Sequence, residues 1–125
     1  MSHFTRIRTK LRNLALLEKA LRDLGYEPSL GNVRVRGWNG ESRRADLVVP
    51  MANRYDLGFR LVDGELVMLA DEWGFRDNLT QLLGQITQRY AYHVCREQAE
   101  AQGFQVIGSE TQADGSIKLV VQRYT

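Results

Sequence analysis

Between Leu79 and Val94 the apolar residues Leu79, Leu82, Leu83, Ile86, Tyr90 and Val94 recur at about 100° per residue, which commits this stretch to one face of a long helix. The spacing predicts a helix from about Asp77 to Gln102, stopped by Gly103. His93 and Glu97 fall inside the apolar stripe, while Gln85, Arg89, Tyr92 and Arg96 line its edge. A polar row beside a core face must be satisfied by the rest of the fold or by a partner. Gln85, Arg89, Tyr92 and Arg96 are therefore candidate partner-binding residues, since arginine and tyrosine are enriched where interfaces hold most of their energy. His93 and Glu97, one turn apart, are read as a buried polar pair.

The remaining elements alternate with period two. Thr5, Ile7, Thr9 and Leu11 interleave with Arg6, Arg8, Lys10 and Arg12, the pattern of a half-buried strand. Asn13 is placed to cap a helix carrying Leu14, Leu17, Leu21 and Leu24, with Gly25 behind it and Pro28 blocking continuation. Short strands follow at Val33–Arg36 and Arg43–Val49, separated by the turn residues Gly37-Trp38-Asn39-Gly40. A third, Tyr55–Leu61, turns at Asp63-Gly64 into Leu66–Leu69, and Asp-Gly between alternating hydrophobics is a strong hairpin signal. A last hairpin joins Phe104–Ile107 to Ser116–Val121 near Asp114-Gly115. Runs of hairpins with only two helices predict an α+β fold: a mainly antiparallel sheet of about six to seven strands with both helices packed on one face. Without linker, repeat or low-complexity tract, residues 1–125 read as a single globular domain.

Composition narrows the setting. A chain that is 43% hydrophobic and 26% charged can build a core, and disorder is not expected beyond the first residues. The single cysteine, Cys95, cannot form an internal disulfide and points to a reducing compartment. No apolar run approaches the ~20 residues of a membrane span, and Met1–Arg6 lacks a signal-peptide core. A soluble, cytoplasmic protein is expected.

Few residues suggest chemistry. A His93–Glu97 pair with Tyr90 one turn before could act as general base and orienter, yet no nucleophile is placed beside it. His3 is the only other histidine, so no metal-ligand spacing exists, and no cofactor is implied. Asp71-Glu72-Trp73 with Asp77 forms an acidic corner before the long helix, and suits that helix's N-terminus better than a cation. The glycines form no phosphate-cradling loop.

The arginines are distributed unevenly. Residues 1–44 carry a balance of +6 and residues 45–125 one of −4. Arg6, Arg8 and Lys10 share one face of their strand, Arg34 and Arg36 one face of theirs, and Arg43 and Arg44 sit across the Trp38 turn. If these strands were neighbours, the outer sheet face would be an arginine field rimmed by Trp38. Such a surface suits solvent, an acidic protein or nucleic acid, in that order of expectation.

Three segments carry a resemblance to a known family: Met1-Ser2-His3-Phe4-Thr5, Gln85 to His93, and Gln112 to Arg123. Together they resemble the hypothetical chloroplast open reading frame 35 family of cyanobacteria and algal plastids, over essentially the whole chain. The resemblance implies a protein of the cyanobacterial cytosol or plastid stroma, and an ATPase of the AAA type as a candidate partner by association. It implies no activity, cofactor or catalytic residue. The reading that results is a small non-enzymatic accessory protein that binds another protein, with nucleic-acid binding and a His–Glu enzyme as alternatives.

Overall fold

The computed structural model describes residues 4–51, 55–75 and 78–123. In chain order it comprises β1 (Phe4–Arg8), α1 (Leu14–Asp23), β2 (Ser29–Arg36), a 3-10 turn at Trp38–Gly40, β3 (Ser42–Val49), β4 (Leu57–Val62), β5 (Glu65–Asp71), a short α2 (Glu72–Phe75), α3 (Leu79–Ala101), β6 (Phe104–Thr111) and β7 (Ile117–Arg123). The fold is α+β and its strand pairs are antiparallel, as the sequence pattern predicts.

Local chemistry explains the element ends. Asn13 Oδ1 accepts from the Leu16 amide at 3.0 Å and so opens α1. Gly25 closes it at φ +92, with the Gly25 amide on Arg22 O and the Tyr26 amide on Leu21 O, the paired bonds that a left-handed residue permits. Asp63 and Gly64 both have positive φ, 51 and 82, which matches the right-handed twist of β4 and β5. β1 ends earlier than its alternation suggests, but Thr9 and Leu11 continue to bond the Leu66 backbone beyond it.

The main sheet has the order β1-β5-β4-β3-β2. Leu47, Val49, Leu57, Phe59, Leu66 and Met68 face Leu17 and Leu21 of α1 and Leu79, Leu82 and Ile86 of α3, forming the principal core. Both long helices thus cover one face, and each apolar stripe meets the inward strand residues.

The second face holds a smaller core. β3 pairs with β4 only at Leu47, Val48 and Val49, and β2 carries an irregularity between Leu30 and Val33. Beyond these points the β2–β3 hairpin bends across the sheet, burying Val35, Ala45, Val48, Val67 and Leu69 together. Gly58 is the reason this approach is possible: a Cβ there would overlap Val35 Cγ2. Gly37 is equally confined, since its Cβ would stand 2.7 Å from both Asp71 Oδ2 and the Phe4 ring.

The strands do not form one sheet, however. Among the described residues β6 and β7 pair only with each other, and they rest on the outer side of α3 as a separate ribbon. The division follows from α3, whose 23 residues carry the chain away from the sheet edge before β6 begins.

Candidate functional site

The polar row on α3 turns inward to α1. Asp23, the last residue of α1, receives Arg89 Nε at 2.7 Å and lies 2.6 Å from His93 Nε2 through the same oxygen. The Arg89 guanidinium lies over the Tyr92 ring at 4.0 Å, and Tyr92 meets the His93 ring edge-on at 5.1 Å. Arg96 closes the row on Glu100 at 3.0 Å. At the other end of α1, the Tyr90 hydroxyl accepts from the Arg12 and Asn13 amides at 3.2 and 3.0 Å. Burial raises the Asp23 carboxyl, but the hydrogen bonds from Arg89 and His93, helped by their charges, outweigh it and hold the group below its ordinary value. α3 therefore grips α1 at both ends.

This placement corrects the expected His93–Glu97 pair. Glu97 is exposed, whereas His93, with a side chain only 13% exposed, turns to Asp23. The i,i+4 spacing favours Glu97 only on an isolated helix; across the helix–helix contact, Asp23 offers a carboxylate already oriented by Arg89. Tyr92 is buried beneath Arg89 and beside the groove under the ribbon, so it does not stand on the exposed polar edge that its position in the row suggested. Gln85 alone of the four row residues stands apart, exposed beside a cavity of about 390 Å³ shared with Met51, Phe75 and Gln81.

The arginine field also resolves differently. β1 and β2 sit at opposite edges of the sheet order, not as neighbours. Arg8 pairs with Glu65 at 3.1 Å, Arg34 bonds Ser42 Oγ at 2.7 Å, and Arg44 reaches Asp46 at 3.7 Å. Arg36 grips Asp56 with Nε and Nη2, each at 2.9 Å, while its amide binds the same carboxylate at 2.8 Å. Asp56 is 2% exposed, so this contact seals the end of β2. Trp38 is exposed by 42%, and its amide donates to buried Asp71 at 2.9 Å. Asp71 also accepts from Trp73 N at 3.0 Å, at the start of the short α2 and not of the long helix that the acidic corner was expected to serve; Asp77 lies outside the described residues.

What does converge is a set only partly anticipated. Because β3 bends over the second face, Arg43 joins Arg6 and Arg60 around a cavity of about 220 Å³ floored by Phe4 and Leu69. Arg43 lies over the Phe4 ring at 4.6 Å, and Arg60 donates twice to the Arg44 carbonyl. Alternation with buried Phe59 is a signal that could have set Arg60 on the face opposite the principal core, but nothing local brings it to Arg6 and Arg43.

On the far side of α3, the β6–β7 ribbon exposes Ile107, Val120 and Val121 by 56%, 45% and 41%. Between ribbon and helix runs a largely apolar groove of about 390 Å³ that includes Ala91, Tyr92, Cys95 and Ile117. Gln88 Nε2 donates to Gly115 O and fastens the ribbon's turn to the helix. Among the described residues no three His, Cys, Asp or Glu side chains gather as a metal-ligand group, and no helix is long and apolar enough to cross a membrane.

Comparison with known proteins places these features in a family. The chain is 34% identical to "Uncharacterized protein ycf35" of Pyropia yezoensis over 99% of its own length and 98% of that protein. The protein of the same name from Guillardia theta is also 34% identical, and that of Cyanophora paradoxa 32%, each over the same shares. No solved structure matches. A family model matches residues 20–120, spanning the α1–α3 contact, the arginine cavity's Arg43 and Arg60, and most of the ribbon, and the chain thus belongs, with its ycf35 relatives, to the family described as Protein of unknown function (DUF1257).

Proposed function

We propose that this chain is a small non-enzymatic accessory module that binds another protein through the exposed aliphatic residues of the β6–β7 ribbon. One observation carries the reading: a two-stranded sheet, separate from the main one, leaves Ile107, Val120 and Val121 exposed, with Val120 and Val121 on opposite faces of β7. An isolated two-stranded ribbon is marginal in water, and clustered exposed aliphatic residues mark contact surfaces. Its outer backbone edges add hydrogen-bonding groups that an extended segment of a partner can pair. The row from Gln85 to Arg96, by contrast, is mostly engaged inside the molecule and supports no contact surface of its own. The setting is the cyanobacterial cytosol or plastid stroma, and an ATPase of the AAA type is the first partner to test.

Lys118, exposed on β7, supplies a chemical handle for the experiment. Lysine-directed cross-linking of the intact chain in an extract of its own cells, followed by mass spectrometry, is expected to join Lys118 to one stoichiometric partner. A variant with Ile107→Glu and Val121→Glu is expected to lose that product while keeping its circular dichroism spectrum. Retention of the partner by the folded double variant, or its absence with the unaltered chain, would sink the reading.

The nucleic-acid alternative draws less support, because Arg8, Arg36 and Arg44 are held by carboxylates. An enzyme built on His93 draws less again, since Nε2 faces a carboxylate oxygen already shared with Arg89.

A further inference from the structure

We infer that the cavity between Phe4, Arg6, Arg43, Arg60 and Leu69 is a binding site for a phosphate group, free or carried as a monoester on a small molecule. The site lies on the second face of the sheet, away from the β6–β7 ribbon, and does not depend on the proposed protein contact.

The first support is a contrast in pairing. Arg8, Arg22, Arg36, Arg44, Arg89 and Arg96 each reach a carboxylate of the chain. Among the described residues, Arg6, Arg43 and Arg60 have no such ion pair; Arg12, Arg34 and Arg123 lack one too, but only the first three share a cavity.

The second support is positioning without neutralisation. Arg60 donates from Nε and Nη2 to the Arg44 carbonyl, and Arg43 donates from Nη1 to the Ser42 carbonyl at 3.0 Å. Backbone carbonyls orient these guanidinium heads but leave their charge uncompensated. The Phe4 ring supports Arg43 from beneath. Arg6 has no intramolecular partner among the described residues, so its donors stay available. The nearby carboxylates are already engaged: Asp46 accepts from Leu61 N at 2.7 Å and reaches Arg44, while Asp71, behind Phe4 and Gly37, accepts from Trp38 and Trp73.

Chemistry and size then select the ligand. Guanidinium forks match phosphate oxygens in pairs, and a phosphate monoester dianion offers three terminal oxygens to three arginines. The apolar floor of Phe4 and Leu69 limits solvent screening and strengthens that attraction. At about 220 Å³ the cavity is smaller than the pockets that enclose whole cofactors, roughly 300 Å³ and above, so it suits a phosphate with a small attached group.

The test is an amide NMR titration of the intact chain at constant ionic strength. The probes are sodium phosphate, glycerol 3-phosphate, a short single-stranded oligonucleotide, and sodium chloride as control. Phosphate or glycerol 3-phosphate is expected to give saturable shifts at Phe4, Arg6, Arg43, Arg60 and Leu69; whichever binds more tightly tells free phosphate from monoester. Arg6→Gln, which breaks no internal contact, is expected to weaken binding roughly tenfold, the loss of one charge-assisted hydrogen bond. Arg34→Gln, outside the cavity, is expected to leave it unchanged. Shifts no different from those with chloride, or equal effects of the two substitutions, would overturn the assignment. So would an oligonucleotide that outcompetes both phosphates and shifts Arg34 and Trp38, since that response belongs to a nucleic-acid track.

Discussion

The two sides of α3 are built on different principles. Toward the main sheet the helix buries Leu79, Leu82 and Ile86 completely or nearly so, and its polar edge is tied to Asp23 by two hydrogen bonds. Toward the β6–β7 ribbon it offers a groove, one hydrogen bond from the Gln88 amide, and a sheet whose exposed aliphatic residues meet water. The first side is organised for stability, with charges paired and apolar residues enclosed. The second leaves apolar area uncovered, which lowers its own stability and keeps it available. Side chains that fold the molecule and the exposed aliphatic residues of the ribbon are thereby separated by the thickness of one helix.

Substitutions that break this contrast should rank by side. Gly58→Val should be the most severe, because the added carbons collide with Val35 in the second core. A loss of about 3 kcal/mol or more is expected in urea unfolding, enough to leave much of the chain unfolded at 25 °C if its total stability is modest. Asp56→Ala leaves Arg36 and its amide without their acceptor, and a loss of about 2 kcal/mol is expected, moderated because the arginine is 56% exposed.

Asp23→Asn tests the α1–α3 tie through pH. The folded carboxyl is held below its ordinary value, so its contribution is complete above the unfolded value of roughly 3.9 and disappears as pH falls through the lower folded value. Thermal midpoints of the unaltered chain should therefore drop on acidification across that window, and those of Asp23→Asn should drop less. At neutral pH the substitution should cost about 1 kcal/mol, since Asp23 is partly solvated. A variant with the same acid profile as the parent would remove the tie from the account. Ile107→Glu on the ribbon should change stability by no more than about 0.5 kcal/mol, and a large loss there would mean the ribbon is part of the core after all.

Much of the architecture was legible because its causes are local. Asn13 and Gly25 delimit α1, Asp63-Gly64 turns β4 into β5, and Gly103 at φ +88 ends α3, each by the conformational preference of one or two residues. The apolar stripe of α3 likewise follows from helical spacing alone. The candidate sites were less legible, because their members are distant in the chain. His93 meets Asp23 across 70 positions, not Glu97 across four. Arg6, Arg43 and Arg60 come from three strands, and their meeting requires the bend of β3 after Asp46. Nothing local marks Gly58 either, since its role depends on Val35 packing over it from a distant strand.

Read alone, the chain settles its elements, its α+β class and its family likeness, since periodicity, caps and turns act over a few residues. Tertiary structure decided the rest: which carboxylate His93 meets, which arginines remain without an ion pair, and that seven strands divide into five and two. Those outcomes depend on how β2–β3 folds over the sheet and where α3 delivers the chain. Such long-range choices are made by packing and charge compensation between segments whose contact no local pattern encodes.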